Sequence, residues 1–167
     1  GTQVFQSASR TGTASISPRW ASGFPVDMVI RQSARNTGGD WQLGDRLRGA
    51  VQIKPNLTEA ETAASPLFTF DSMAGYSSLG VVGSDSNDFS WMFKRAPGFF
   101  DEVCYTGTGT ITQQYAHNLG IQPELIIVRK RSATQNWFVA STKMPNPSNP
   151  LNPWWDQLYL NTTGAVQ

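Results

Sequence analysis

The residues best suited to acid–base or nucleophilic chemistry are few in this chain of 167 residues. His117 is the only histidine, and no nucleophile stands near it, so a turn histidine that hydrogen-bonds its own loop is the simpler interpretation. Cys104 is the only cysteine and lies between Val103 and Tyr105 in a segment with strand-like alternation. That position predicts a buried structural thiol rather than a reactive one.

Acidic residues come close together in the sequence at Asp40 with Asp45 and at Asp101 with Glu102. Neither pair stands out as the two carboxylates of a glycoside hydrolase, because that role depends on their separation in space. The oxygen-rich segment 83–88 has only a loose likeness to a calcium loop, since no bidentate glutamate follows at the required spacing. We therefore predict no catalytic residues, no metal ligands and no cofactor, and we expect that the protein is not an enzyme.

Tryptophans offer the remaining binding chemistry, because their flat rings stack on other planar or apolar faces and are enriched at protein interfaces. Trp154 and Trp155 are adjacent within a Pro- and Asn-rich stretch. Two interpretations remain open: a contact surface for a sugar or a subunit, and a ring that covers an open core. Together with Trp41 and Trp137, these residues are the candidates for contact with a glycan or a partner.

Charge is sparse in this chain, with 15% charged residues and a net charge of +1. Globular proteins usually carry about 25% charged residues, and this balance indicates neither a nucleic-acid partner nor an anionic membrane. Six Trp and nine Phe need a core, which excludes a disordered chain. No apolar run approaches the roughly 18 residues of a membrane span. A single cysteine permits no intrachain disulfide, which favours folding in a reducing cytosol.

The chain contains two copies of one unit of about 96 residues. The clearest matches join Thr11-Gly12-Thr13 to Thr106-Gly107-Thr108, Met28-Val29-Ile30-Arg31 to Ile126-Ile127-Val128-Arg129, Trp41 to Trp137, and Asn56-Leu57-Thr58 to Asn161-Thr162-Thr163. The separation between matched residues drifts, as expected where loops change length and strands do not. The largest step is an insertion at residues 144–155 of the second copy.

These matches predict two domains, residues 1–96 and residues 97–167, that meet at Ala96-Pro97-Gly98. The second copy stops just after its Asn-Thr-Thr, where the first continues through three more predicted strands. A domain without those strands would expose its core. We therefore expect that Gln167 is not the natural end or that another chain supplies the missing strands. The competing interpretation is that the second copy closes differently and is complete.

Period-two alternation and β-branched runs dominate the sequence and predict strands. The predicted strands are residues 13–17, 27–32, 41–45, 68–71, 78–82, 90–94, 100–106, 110–115, 124–130, 137–141 and 157–160. The continuous apolar run 125–128 predicts a central strand covered on both faces, and only residues 58–64 have a helical pattern. Short strands separated by Gly-, Pro- and Asn-rich turns predict an all-β chain of two tandem β-sandwich-like domains, the second of them incomplete.

One long string of residues carries a family resemblance. It comprises Trp91-Met92-Phe93-Lys94-Arg95-Ala96-Pro97-Gly98-Phe99-Phe100-Asp101, His117-Asn118-Leu119-Gly120, Pro123-Glu124-Leu125-Ile126-Ile127-Val128, Asn136-Trp137 and Leu160-Asn161. This string resembles a phrase, often tandemly repeated, in structural proteins of tailed bacteriophages, including tail fibres and other virion surface proteins. The resemblance covers most of the chain, departs from the phrase at 144–155, and brings no assigned chemistry.

The resemblance implies a virion structural protein, made in the cytoplasm of a bacterial host, that belongs to a tail fibre or another surface appendage. It implies other virion proteins as partners, a homo-oligomer (a trimer, as is frequent in fibres) and a role in host attachment through a surface glycan. Two alternatives stay open: a lectin-like carbohydrate-binding module of a phage adhesin, and a capsid-decorating or head-fibre protein. A polysaccharide depolymerase would need a pair of carboxylates in a groove.

Overall fold

The structure is a computed structural model that describes residues 2–10, 17–32, 39–63, 68–78, 88–144, 154 and 156–163. Across these ranges the chain forms eleven short β-strands and no helix, which confirms the all-β prediction. The strands are Phe5–Arg10 (β1), Trp20–Ala21 (β2), Met28–Gln32 (β3), Trp41–Asp45 (β4), Val51–Gln52 (β5), Thr62–Ala63 (β6), Gly75–Tyr76 (β7), Asp88–Phe93 (β8), Leu125–Val128 (β9), Phe138–Ser141 (β10) and Leu158–Tyr159 (β11).

Repeat one, residues 1–96, is built on a four-stranded antiparallel sheet with the strand order β1-β8-β3-β4. β8 is central in this sheet, because it pairs with β1 along one edge and with β3 along the other. Successive side chains of a strand point to opposite faces. Ser90 and Met92 are therefore buried on one face, whereas Trp91 lies exposed on the other.

The core of repeat one lies against the buried face of this sheet. Its members are Trp20, Phe24, Val26, Val29, Phe68, Phe70, Tyr76 and Met92. Trp20 stacks on Tyr76 with ring centroids 6.1 Å apart. Gly44 is required at its position, because a Cβ there would overlap the Phe68 ring. Each large apolar side chain that is fully buried contributes about 1.5–3 kcal/mol, so this cluster is the main stabilising feature of repeat one.

A buried ion pair joins the two middle strands of the sheet. Arg31 of β3 donates from Nη2 to Oδ2 of Asp88 in β8 at 2.9 Å, and their side chains are 1% and 3% exposed. Because two charges buried together lose their hydration, each depends on the other. The pair therefore fixes β8 beside β3.

Repeat two, residues 97–167, contains a three-stranded antiparallel sheet with the order β11-β10-β9. Its hydrogen bonds reproduce those of repeat one. The backbone N–H of Trp41 donates to Asn56 Oδ1 at 3.1 Å, and that of Trp137 donates to Asn161 Oδ1 at 2.8 Å. The internal repeat is thus visible in the hydrogen bonding as well as in the sequence.

Strand register corrects one of the sequence matches. Gln42 pairs with Arg31 in repeat one, and Phe138 pairs with Val128 in repeat two. Since Gln42 follows Trp41 as Phe138 follows Trp137, Val128 occupies the place of Arg31. The match of Arg31 with Arg129 is wrong by one residue, because similar side chains were aligned across loops of different length.

The predictions for four other segments are also wrong. β9 is an edge strand in the described part of the chain, not a covered central strand, and its four side chains are 36–58% exposed. Residues 100–106 and 110–115 form no strand. Residues 58–63 form no helix, because their backbone groups bond to repeat two; for example, Glu61 N–H donates to Arg131 O at 2.8 Å. Predicted strands 13–17 and 78–82 lie almost wholly outside the described residues.

Candidate functional site

The two repeats meet around Trp137, which is 5% exposed. Its indole N–H donates to the carbonyl oxygens of Lys54 at 3.0 Å and Leu57 at 3.2 Å. The Arg129 guanidinium lies over the Trp137 ring, 5.8 Å from its centroid, and donates to Thr58 O at 2.6 Å. Trp137 therefore joins the repeats and has no open face on which a sugar could stack.

A chain of ion pairs runs alongside this join. Arg131 of repeat two makes two bonds to the Glu61 carboxylate, at 2.9 and 2.8 Å, and Arg48 of repeat one donates to the same carboxylate at 2.9 Å. Arg48 also binds Asp45 through its Nε. Burial opposes ionisation of Glu61, but the bonds from Arg131 and Arg48 lower its pKa. Glu61 is thus held as an anion between two cations.

The structure brings together two carboxyl groups, Asp45 and Glu102, that the sequence did not pair. Burial, and then the neighbouring charge of Asp45, raises the pKa of Glu102 to about 9. Glu102 is therefore a neutral acid at pH 7, as expected when two carboxyls cannot both ionise in one place. Asp45 is fully buried, and the Arg48 backbone N–H donates to its Oδ1 at 2.7 Å.

This pair is poorly arranged for glycoside hydrolysis, which needs both carboxyl groups to reach the substrate. Asp45 is 0% exposed and is occupied by Arg48. In the pairs noted in the sequence, one member of each is bound elsewhere: Asp40 binds Lys54 at 3.0 Å, and Asp101 accepts the Asn118 N–H at 2.6 Å. Asp45 and Glu102 therefore form a structural contact between the repeats.

Trp41 lies on the outer face of the main sheet and stacks on Trp91, with ring centroids 5.2 Å apart and an angle of 26° between the planes. Phe89 meets Trp91 edge-on at 5.5 Å, and Trp91 is 37% exposed. Sequence reasoning missed Trp91 as a partner of Trp41. The signal was the alternation along β8, which turns Phe89 and Trp91 to the same face.

The remaining predicted residues are dispersed. Trp154 is half-buried, and Trp155 lies outside the described residues. His117 accepts the Leu119 N–H on Nδ1 at 3.3 Å, so it is a turn histidine bonded to its own loop, as predicted. Cys104 is exposed and outside any strand, contrary to the prediction of a buried thiol. Its segment lacks a strand partner in the described part of the chain and so does not close over it.

A cleft of about 620 Å³ opens between the repeats. Repeat one contributes apolar side chains of its outer sheet face, among them Met28, Ile30 and Leu43. Repeat two contributes residues 98–104 together with Leu125 and Ile127 of β9. Leu125 is 58% exposed and Ile127 is 48% exposed, so this cleft is a solvent-accessible apolar surface.

Comparison with known proteins gives one match. The model of a family described as a domain of unknown function (DUF7483) matches residues 93–167, a stretch that contains all of repeat two. No curated protein and no solved structure matches the chain. In the described ranges, no group of three or more His, Cys, Asp or Glu side chains could hold a metal ion, and no helix could span a membrane.

Proposed function

We propose that the chain is a structural module of a bacteriophage virion, within a tail fibre or another surface appendage, that acts by binding protein surfaces. The observation that supports this is the contrast between the repeats. Repeat one encloses an apolar core, whereas in repeat two all four side chains of β9 are 36–58% exposed. Leu125 and Ile127 share one cleft with Phe99, Val103 and Ile121, and exposed apolar surface of this kind marks sites of protein–protein contact. The resemblance to phage structural proteins supplies the setting.

The exposed apolar surface continues beyond β9. Other large apolar side chains of repeat two with exposures of 41–57% are Phe99, Val103, Tyr105, Ile121 and Leu160. A surface of this extent is suited to a homo-oligomer, for which a trimer is the proposed state, or to contact with other virion proteins. Capsid decoration uses the same surface chemistry and remains an alternative setting.

Sedimentation velocity over a range of concentrations tests the association. We expect the intact chain to self-associate and the Leu125→Glu variant to remain a monomer, because a carboxylate in an apolar contact would lose its hydration. Met73→Glu is the matched control, since Met73 is 76% exposed on repeat one. A chain that stays monomeric at high concentration contradicts the homo-oligomer.

The virion setting is tested separately by mass spectrometry. Purified particles of the phage that encodes the chain should yield its peptides, and fractionation into heads and tails assigns the peptides to one part. Recovery with tails supports a fibre or appendage, and recovery with heads supports the decorating or head-fibre alternative. Absence from intact particles contradicts a virion role.

A glycan-binding module of an adhesin is the second candidate, and the stacked pair Trp41 and Trp91 favours it. Half-exposed aromatic rings that are already held in place can stack on a sugar at little entropic cost. A glycan array should then show binding that Trp91→Ala abolishes and that Trp154→Ala leaves unchanged. An array without signal, or with signal indifferent to both changes, excludes this function.

A further inference from the structure

In repeat one, a single strand connects two others that would not otherwise meet. β8 pairs with β1 from Phe5 to Arg10 and with β3 from Met28 to Gln32. It also covers the inner face, because Met92 of β8 is fully buried in the core. Ala8 of β1 packs against the same core. Removal of β8 would leave β1 without a partner and would make β3 an edge strand.

Repeat two contains the counterparts of both neighbours of β8. Tyr105 precedes Thr106 as Arg10 precedes Thr11, so residues 100–105 correspond to β1. β9 corresponds to β3, as matching bonds show. Arg46 N–H donates to Asp27 O at 2.8 Å in repeat one, and Thr142 N–H donates to Glu124 O at 3.0 Å in repeat two.

No described strand occupies the position between these two segments. Within the described ranges, residues 100–105 form no strand despite their alternation, and β9 pairs with β10 alone. Val103, which corresponds to the packed Ala8, is 41% exposed; Ile126 and Val128 of β9 are 38% and 36% exposed. Residues 100–104 and the Leu125 and Ile127 side chains, on the other face of β9 from Ile126 and Val128, line the same cleft between the repeats.

We propose that repeat two is a strand acceptor, which binds one antiparallel β-strand with the chemistry of β8 between residues 100–105 and β9. This rests on the proposed assembly function and names the partner that fills the exposed surface. An unpaired strand edge beside apolar side chains is a template for strand addition, in which backbone hydrogen bonds give affinity and side-chain pockets give specificity. The inserted strand would form backbone hydrogen bonds with both acceptor segments, residues 100–105 and β9.

The register defines the chemistry of the inserted strand. In repeat one, Ser90 lies beside Arg31 and Met92 beside Val29; the corresponding acceptor residues are Val128 and Ile126. Val128 stands where repeat one has the buried Arg31, so repeat two has no buried cation at this position. The inserted strand therefore needs no acidic residue there. Its inward positions should be small or apolar, as Ser90 and Met92 are.

A synthetic peptide with the sequence of residues 89–95, Phe-Ser-Trp-Met-Phe-Lys-Arg, which leaves out the inward-facing Asp88, tests the proposal on the intact chain. Calorimetry should detect saturable binding. Hydrogen exchange should slow at residues 100–105 and 125–128 while β1 and β3 keep their protection. A control peptide with Asp in place of Ser90 and Met92 should not bind, because it would place two carboxylates against apolar side chains.

The acceptor variant Ile126→Asp should weaken peptide binding at least about tenfold, equivalent to ~1.4 kcal/mol, and Met73→Asp should not change it. Circular dichroism checks that both variants fold; Val128→Asp replaces Ile126→Asp if the latter does not fold.

Self-association without peptide binding overturns the strand acceptor and leaves the proposed function standing. Peptide binding by a persistent monomer supports the acceptor and contradicts the homo-oligomer. The strand acceptor is also overturned if β9 pairs with β9 of a second copy. Hydrogen exchange would then be slow in β9 without the peptide and would not change when the peptide is added.

Discussion

Two asparagines act identically in the two repeats and show how single residues maintain the fold. Asn161 accepts the Trp137 N–H and donates to Asn136 Oδ1 at 3.0 Å; Asn56 accepts the Trp41 N–H and donates to Asp40 Oδ1 at 3.0 Å. The asparagines of the matched Asn-x-Thr sequences are thus explained by a bond that fixes the start of a strand.

Replacement of Asn161 tests this role. Asn161→Ala removes both bonds and should lower the free energy of unfolding by about 1–2 kcal/mol, because each ordinary hydrogen bond contributes ~0.5–1.5 kcal/mol. Asn161→Asp keeps the acceptor for the Trp137 N–H and should lower the free energy of unfolding by less. Urea denaturation measures both variants, and equal losses would contradict an acceptor role.

Glu102 should make stability depend on pH. Burial and the charge of Asp45 raise its pKa from 4.5 to about 9 in the folded chain. The unfolded chain therefore releases this proton at lower pH than the folded chain. The contribution to stability is fully present below about pH 4.5 and declines as the pH rises towards 9.

The Glu102→Gln variant cannot lose that proton. Its melting temperature should exceed that of the unmodified chain at pH 8, and the two should converge near pH 4. Glu124→Gln, at a glutamate that is 72% exposed, is the control and should follow the unmodified chain. If the melting temperatures of Glu102→Gln and of the unmodified chain change in parallel with pH, Glu102 does not share a buried site with Asp45.

At the scale of elements, the central strand of repeat one depends on its buried ion pair. Asp88→Asn leaves Arg31 charged, buried and without its carboxylate, which should cost about 3–5 kcal/mol of unfolding free energy. The double change Arg31→Met with Asp88→Leu should recover most of that loss, since buried pairs are replaceable by apolar side chains of similar volume. Denaturant melts of the single and double variants measure this. A double variant as unstable as Asp88→Asn would contradict it.

Strands were predictable from sequence where their partners are present. The predicted strand 41–45 coincides with β4, because its neighbour β3 pairs along its whole length. Residues 100–106 carry the same alternation but form no strand, since no described segment supplies their ladder. β1 was not predicted because its exposed positions are Phe5, Ser7 and Ser9, so that apolar and polar residues alternate only weakly along it. The alternation of apolar and polar residues predicts which side chains would face each side of a strand. The strand itself forms only where another strand pairs with it.

The contacts of the candidate site were less predictable than the strands. Asp45 and Glu102 are far apart in the sequence, and only the packing of repeat two on repeat one places their carboxyl groups together. Trp137 was identified as a contact residue, but its partners are the backbone carbonyl oxygens of Lys54 and Leu57. Backbone groups carry no sequence signature, so such contacts are not readable from residue types.

For the whole molecule, the unequal distribution of buried side chains indicates that repeat two depends on repeat one. Nine of the ten buried apolar side chains in the described ranges belong to repeat one, and Trp137 is the tenth. That residue is buried against the backbone of residues 54–57, not within a core of its own repeat. Repeat two is therefore held by its contact with repeat one.

Trp137→Ala should separate the stabilities of the two repeats. Loss of a buried Trp side chain costs about 3–5 kcal/mol, and here the loss falls on the join. Hydrogen exchange should become fast in β9, β10 and β11 while β3 and β8 keep their protection. Trp91→Ala, at a ring that is 37% exposed on repeat one, is the matched control and should leave β9 to β11 unchanged. If Trp137→Ala accelerates exchange equally in both repeats, the molecule unfolds as one unit. If it accelerates exchange in neither, repeat two is stable without the join.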